Sequence, residues 1–285
     1  MTIKKPFVGI LAFLIVLFTM PIGHAVMIIM EKVFGYEYVF IVALLLGLIG
    51  VVLLVLGVKN KNETKATFYG IFAGLFIWTG WIEFAFVYIA QKYDVSPLIE
   101  NGEVVTKPEY LIMPSSIGFL FVFLIYFLLN GKTQCRFFTW WQKLFKLDGA
   151  SIAGANRGRS FALISAMEMI MILWTFYMVL LIVYDKTILG DRHPVTYIVA
   201  FSSLLWSLYL FIKLIRIRKL AYALRYSIPT VIIFWNFVEI LGRWDIYKEI
   251  WVEPGKYWIE MVSILFVFLL LFGISLLERK KSINT

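Results

Sequence analysis

The chain has 285 residues, of which 61% are hydrophobic and 16% are charged, whereas soluble domains carry about 25% charged residues. Its mean hydropathy is +0.86. This composition excludes a soluble globular enzyme, a disordered protein and a nucleic-acid-binding domain. The apolar runs are continuous, which also excludes a membrane β-barrel, whose strands alternate between polar and apolar residues. A single cysteine, Cys135, excludes an internal disulfide framework.

Eight apolar runs follow one another along the chain, and each is long enough to cross a bilayer as a helix, which takes roughly 20 residues. Helices are predicted because backbone polar groups must be hydrogen-bonded within lipid. The first run is interpreted as a retained span, since it is too long for a signal peptide. The runs are 7–30, 38–58, 67–91, 110–129, 160–184, 195–215, 226–247 and 257–277. The fold class predicted is therefore all-α, a polytopic membrane protein that contacts lipid.

The basic residues are distributed unevenly between the two sides of the predicted bundle. Nineteen of the 27 Lys and Arg residues fall on the side that carries both termini. The positive-inside rule therefore predicts that both termini are cytoplasmic. The net charge of +9 is thus a topology signal, and no nucleic-acid partner is expected. The short loops indicate the inner membrane of a prokaryotic cell.

The longest loop, residues 131–159, is predicted to lie in the cytoplasm. Its first half, 136–146, mixes aromatic and basic residues at helical spacing, which predicts a short amphipathic helix in the membrane interface. Its second half, from Gly149 onward, is rich in small residues and is typical of a linker. The interfacial segment and the basic surface are candidate docking features for protein partners on the cytoplasmic face.

The first and last four spans share landmarks in the same order, which indicates an internal duplication. Trp78 has a counterpart in Trp235, and the sequence Leu-Phe-Val-Phe-Leu at 120–124 recurs at 265–269. An even number of spans gives both copies the same orientation, so their pseudo-twofold axis would lie along the membrane normal. The predicted repeats are residues 1–130 and 160–285, joined by the linker 131–159.

Two glutamates inside the predicted spans carry the functional prediction. A charge at mid-bilayer costs at least about 2.5–3.5 kcal/mol, so such residues usually face the protein interior. Glu83 on span 3 and Glu239 on span 7 occupy equivalent spans, and each closely follows a tryptophan. Aligning Trp78 with Trp235 leaves the two acids one residue out of register. The two glutamates are therefore equivalent only if the alignment of the two repeats shifts by one residue between the tryptophan and the acid.

Other polar and aromatic groups at similar depth complete a candidate substrate- or ion-binding site. A kink is expected just before His24, because Pro21 cannot donate a hydrogen bond to the carbonyl of Leu17. Gly80, beside Trp81, permits close helix approach. The candidate site residues are Glu83, Glu239, His24, Asn236, Arg243, Trp78, Trp81 and Trp235, with Glu168 and Glu260 as secondary candidates.

Each of these residues also has a purely structural interpretation. A buried glutamate such as Glu168 can bond neighbouring hydroxyl or indole groups and fix the packing. Glu260 lies only one turn into span 8 and fits a solvated interfacial position. Arg243 and Asp245, at the end of span 7, fit an interfacial ion pair or snorkelling side chains.

The sequence identifies no cofactor, and the metal content stays unknown, since no HExxH, CxxC, P-loop or Gly-x-Ser-x-Gly motif occurs. The leading hypothesis is a proton- or cation-coupled transporter of a small solute, with Glu83 and Glu239 carrying the coupling charge. His24, Asn236 and Arg243 would shape its site. One alternative is a non-catalytic subunit or anchor of a larger redox or secretion complex. A membrane-embedded enzyme is the less favoured alternative.

Overall fold

A computed structural model describes residues 5–100, 103–129, 136–147 and 160–283 of the chain. Of the residues that the structure describes, 81% are helical and almost none lie in strands, which confirms an all-α polytopic membrane protein. Within the described ranges, seven helical segments are long and apolar enough to cross a membrane. They are Phe7–Lys59, Glu63–Lys92, Pro108–Leu129, Phe161–Tyr184, Pro194–Leu214, Leu220–Arg243 and Trp258–Leu276.

The regular elements follow the predicted runs closely along the chain. The helices are α1 (Phe7–Lys59), α2 (Glu63–Ile77), α3 (Phe84–Lys92), α4 (Pro108–Ile112), α5 (Ile117–Leu129), α6 (Arg136–Leu144), α7 (Phe161–Tyr184), α8 (Pro194–Leu214), α9 (Leu220–Arg243) and α10 (Trp258–Ile283). A π-helical turn, Trp78–Glu83, joins α2 to α3, and a 3₁₀ turn, Met113–Ser116, joins α4 to α5.

Helix α1 has 53 residues and combines two of the predicted spans. A straight helix of that length would measure about 80 Å, against a hydrocarbon core of about 30 Å. Gly35 interrupts the helix with φ 58° and ψ −178°, a conformation that glycine adopts without steric cost. The backbone angles at Pro21 are helical, so the interruption lies at Gly35. Helix α1 has the length for two crossings, and the count of eight spans stays a prediction.

Two short features lie between the long helices. Strand β1 (Leu98–Glu100) pairs antiparallel with β2 (Glu103–Thr106), a hairpin that the apolar pattern did not predict. Helix α6 coincides with the predicted amphipathic segment, and its Gln142 side chain donates to the carbonyl of Leu128 at 3.0 Å. Of the second half of the predicted linker, which begins at Gly149, residues 149–159 lie outside the described residues.

The chain divides into two compact units. The first unit comprises Met1–Val39 and Val183–Thr285, and the second comprises Phe40–Ile182. Both boundaries fall inside helices, α1 and α7, so the units do not coincide with the two halves of the predicted duplication. The duplication itself stays a prediction.

Helix α9 is the central helix of the first unit. Its Ile228, Ile233 and Ile240 side chains are fully buried. Phe13 of α1 packs edge-on against Phe211 of α8, with ring centroids 4.9 Å apart. A polar side chain on the buried face of α9 is therefore surrounded by apolar neighbours and needs a hydrogen-bond partner within the unit.

The second unit packs through small residues at which backbones approach closely. Gly70 lies directly against the backbone of Ala162 on α7. A Cβ atom at Gly80 would lie 2.5 Å from the carbonyl oxygen of Ala43 and 2.6 Å from the amide nitrogen of Gly47. The close approach expected at Gly80 is thus confirmed, and it holds the π turn against α1.

We expect Gly80→Ala to destabilise the protein by about 1–3 kcal/mol, because the added methyl group meets backbone atoms that cannot rotate away. Gly118→Ala on α5 is the matched control, since among the described residues nothing beyond its chain neighbours and its own helix backbone lies within 4 Å of an added methyl group. The measurement is thermal unfolding of both variants in the same detergent. Equal melting temperatures for the two variants would contradict the close packing.

Candidate functional site

Three of the predicted site residues meet in the first unit. His24 Nε2 lies 3.5 Å from Glu239 Oε1. The indole nitrogen of Trp235 donates a hydrogen bond to the same carboxylate oxygen at 2.6 Å. The imidazole of His24 and the indole of Trp235 are nearly parallel, with ring centroids 6.5 Å apart and an interplanar angle of 22°. A carboxyl, an imidazole and an indole thus form one polar cluster.

The helical spacing explains how this cluster forms. Trp235 and Glu239 are four residues apart on α9, so their side chains lie on one face of the helix. His24 approaches that face from α1. The His24 and Glu239 side chains keep 23% and 19% of their surface exposed, so the pair is not sealed in the core. A histidine beside a carboxyl can accept, share and release a proton near neutral pH.

The segment after α9, residues 244–257, folds back along the same face of that helix, and we call it the fold-back loop. Trp251 of this loop packs on Trp235, with ring centroids 4.9 Å apart. The hydroxyl of Tyr247 donates to the backbone carbonyl of Val238. The fold-back loop therefore covers α9 on either side of Glu239.

A further carboxyl, which the sequence did not single out, lies in the fold-back loop. The carboxyl group of Glu249 rests on Gly242, where a Cβ atom would overlap it. Burial raises the pKa of Glu249 above its usual range and a nearby Asp245 adds to this, whereas the Arg243 guanidinium lowers it. Sequence reasoning missed Glu249 because the residue lies outside the apolar runs, where an acid is ordinarily solvated.

Arg243 forms an ion pair that ties the end of α9 to the loop after α7. Its Nε donates to Asp191 Oδ1 at 3.0 Å, and its guanidinium lies 5.1 Å from the ring centroid of Tyr184. The indole of Trp244 donates to the backbone carbonyl of Asp191 at 2.7 Å. The sequence analysis paired Arg243 with Asp245, but the side chain of Asp245 is exposed, and the ion pair is formed with Asp191 instead. The contacts of Arg243 with Asp191 and Tyr184 indicate a structural contribution.

Asn236 is buried within α9, with 2% of its surface exposed. Its Nδ2 atom has no hydrogen-bond partner among the residues that the structure describes. A buried amide nitrogen without a partner costs about 1–3 kcal/mol. Asn236 is therefore a polar group inside the first unit that the packing of the described residues does not account for.

Glu83, the second predicted carboxyl, is enclosed in the second unit and is 5% exposed. The side chains of Trp78, Thr79 and Tyr177 lie within hydrogen-bonding reach of its carboxyl group. The Trp78 and Tyr177 rings pack together, with centroids 5.6 Å apart. Three hydrogen-bond donors thus surround a carboxyl group that is almost fully buried.

The π turn accounts for the register difference between the two glutamates. Glu83 follows Trp78 by five residues across a π turn, whereas Glu239 follows Trp235 by four residues in a regular α-helix. A π turn closes its hydrogen bonds from residue i to i+5, one residue more than an α-helical turn. Each glutamate is therefore one helical turn beyond its tryptophan. The extra residue of the π turn corresponds to the one-residue shift that the predicted equivalence of Glu83 and Glu239 requires.

The remaining predicted residues have other surroundings. Trp81 is 37% exposed, and its indole donates to the backbone carbonyl of Leu44 at 3.1 Å. It lines a shallow apolar groove of about 310 Å³ on the second unit. Glu168 is buried within α7, a position that both its structural and its functional interpretation expect. Glu260 is exposed in the first turn of α10, which agrees with a solvated interfacial position.

The candidate residues are divided between the units. His24, Trp235 and Glu239 meet in the first unit, whereas Glu83 and Trp78 belong to the second. A single cavity containing both glutamates stays a prediction. Among the residues that the structure describes, no group of three or more His, Cys, Asp or Glu side chains is arranged to hold a metal ion.

A comparison of the chain with protein-family models, curated protein sequences and solved structures gives no match. Function must therefore be argued from the residues and their contacts.

We expect Asp191→Ala to destabilise the protein by about 1–3 kcal/mol, because it leaves the half-buried Arg243 without this carboxylate. Glu253→Ala is the control, since it breaks an exposed ion pair with Lys256 and should leave the stability nearly unchanged. Thermal unfolding in detergent measures both. A loss at Asp191 no larger than that at Glu253 would exclude a structural contribution of the Arg243 pair.

Proposed function

We propose that this protein is a proton-coupled transporter of a small solute in the inner membrane. The His24–Glu239 pair would bind the coupling proton. One observation carries the proposal, namely the contact of an imidazole and a carboxyl group inside membrane-length helices. Ionisable groups in that environment are costly and are usually retained for a function.

The chemistry of the pair suits reversible proton binding. One proton can reside on the carboxyl or on the imidazole, so its binding either neutralises the carboxylate or pairs the carboxylate with an imidazolium. The indole of Trp235 holds the carboxylate oxygen in place in either case. Partial exposure of both side chains allows proton exchange, which a sealed pair would not.

Glu83 supports the proposal as the counterpart of Glu239 in the second unit. Each acid lies one turn beyond a tryptophan that can donate to it. Parallel-repeat transporters bind substrate and coupling ion near the bilayer midplane, between their repeats. We infer that Glu83 contributes to the same coupling step, and that Asn236, with its buried amide nitrogen, contacts the solute.

The positive-inside rule supports an orientation with both termini in the cytoplasm. In that orientation Glu239 lies one turn from the outer end of α9, and the fold-back loop faces the outside. Protons would then reach the site from the outer side, where respiring bacteria maintain a higher proton concentration. A gradient of one pH unit supplies about 1.4 kcal/mol per proton, sufficient for about tenfold accumulation of a solute.

Glu239→Gln and His24→Gln should abolish solute-dependent proton uptake, because neither variant retains the pair. The assay uses proteoliposomes loaded with a pH-sensitive dye and a panel of amino acids, sugars and organic acids. Glu260→Gln is the matched control, since it makes the same change at an exposed position of α10 and should retain uptake. Coupled uptake that persists in Glu239→Gln would refute the proposal.

A second measurement needs no solute. The chain has only two histidines, so ¹⁵N labelling of histidine gives two imidazole signals, from His24 and His193. His193 is an internal reference, because its Nδ1 accepts from the Val195 amide in the loop before α8. Glu239→Gln should change the titration of His24 and leave that of His193 as it is. Identical His24 titrations in both proteins would contradict a functional pair.

A further inference from the structure

The fold-back loop contacts one continuous face of α9, and Glu239 belongs to that face. Trp235, Val238 and Gly242 are each in contact with the loop, at positions one helical turn apart. Residues spaced by three or four positions share a helix face, and Glu239 is four positions from Trp235 and three from Gly242. A proton that reaches Glu239 along this face must therefore pass the fold-back loop.

One acid of the fold-back loop is directed at this face. Asp245 and Glu253 are exposed, whereas Glu249 is half-buried with its carboxyl group on Gly242. Gly242 lies three residues beyond Glu239, a rise of about 4.5 Å along the helix axis. The Glu249 carboxyl is thus about one turn from Glu239, toward the end of α9.

Charged and titratable groups approach this pair of carboxyls from every neighbouring element. Arg243 acts on both carboxyls, and Tyr184 at the end of α7 lies in the field of both. These groups include His24 on α1, Tyr184 on α7, Asp191 in the loop before α8, Arg243 on α9, and Asp245 and Tyr247 in the fold-back loop. Arg192, next to Asp191, contacts Trp244 at the start of the fold-back loop. Arg243 is a permanent cation, and its positive charge partly offsets the negative charge of the two carboxylates.

We propose that Glu249 is the relay through which protons pass between the water beyond α9 and the Glu239–His24 pair. This inference rests on the proposed transport function. A hydronium ion protonates the Glu249 carboxylate and leaves as water. The Glu249 carboxylic acid then gives its proton to the Glu239 carboxylate, directly or through one water molecule, and returns to the ionised form. The proton is finally shared with His24 Nε2, so only O–H and N–H bonds form and break.

The environment of Glu249 suits a relay. Burial raises the pKa of this carboxyl group, so it retains a proton at a higher pH than an exposed glutamate does. The nearby Arg243 lowers the pKa, so the group can still ionise after it has given its proton away.

Gly242 provides an independent test, because its missing side chain leaves the space that the Glu249 carboxyl occupies. Gly242→Ala would displace the carboxyl while the acid stays in the chain. Glu249→Gln removes the proton acceptor while the side chain stays in place. The two variants change different atoms, and a relay requires that both slow proton transfer.

The experiment measures the exchange rate of the His24 ¹⁵N signal in the full-length protein by relaxation dispersion, at each variant's own titration midpoint. Glu249→Gln and Gly242→Ala should slow exchange by about tenfold or more. The matched controls are Glu253→Gln, an exposed acid of the same loop, and Gly255→Ala, where a methyl group meets open space. Both controls should exchange at the wild-type rate.

The outcomes separate the relay from the transport function. Wild-type exchange in Glu249→Gln overturns the relay, and slow exchange in Gly242→Ala alone would assign the effect to loop packing and overturn it too. If Glu239→Gln abolishes coupled uptake while Glu249→Gln exchanges normally, the transport function stands without the relay. If Glu239→Gln leaves both uptake and His24 titration unchanged, the transport function fails and the relay fails with it.

Discussion

A carboxyl group inside a membrane-length helix must find hydrogen-bond donors, because the surrounding lipid and apolar side chains offer none. Glu239 and Glu83 both meet this requirement with an indole from the preceding helical turn. The other contacts of each site are arranged around this tryptophan–glutamate pair. In the first unit, Trp251 of the fold-back loop also packs on Trp235. In the second unit, the extra residue of the π turn places Glu83 one turn beyond Trp78.

The same tryptophan–glutamate arrangement has different access in the two units. Glu239 keeps about a fifth of its side chain exposed beside a histidine, whereas Glu83 is buried among hydroxyl and indole donors. An acid that exchanges protons needs a titratable neighbour and a route to water, and Glu239 has the first of these in His24. An acid surrounded by fixed hydrogen-bond donors is suited to keeping one protonation state. The two glutamates thus satisfy one constraint in two ways, and they need not act alike.

The sequence predicted what depends on length and hydropathy. The apolar runs coincide with the long helices, and the mixed aromatic and basic segment coincides with α6. The partners of individual side chains could not be predicted, since Asp191 and Arg243 lie 52 residues apart and an ion pair leaves no periodic signal. The π turn was also beyond prediction, because it changes hydrogen bonding without changing composition. Glu249 escaped notice because a loop acid is ordinarily solvated, and only the fold shows that Gly242 makes room for it.

The Gln142 contact with α5 bears on the thickness of the surrounding bilayer. The last carbonyl groups of a helix have no partner within it and usually bind water or lipid headgroups. At the end of α5, the amide of Gln142 occupies the carbonyls of Leu128 and Phe127 instead. The helix end can therefore lie at the hydrocarbon boundary, with α6 fixed beside it. Because these two carbonyls do not depend on water, the end of α5 can meet membranes of different thickness without leaving them unpaired.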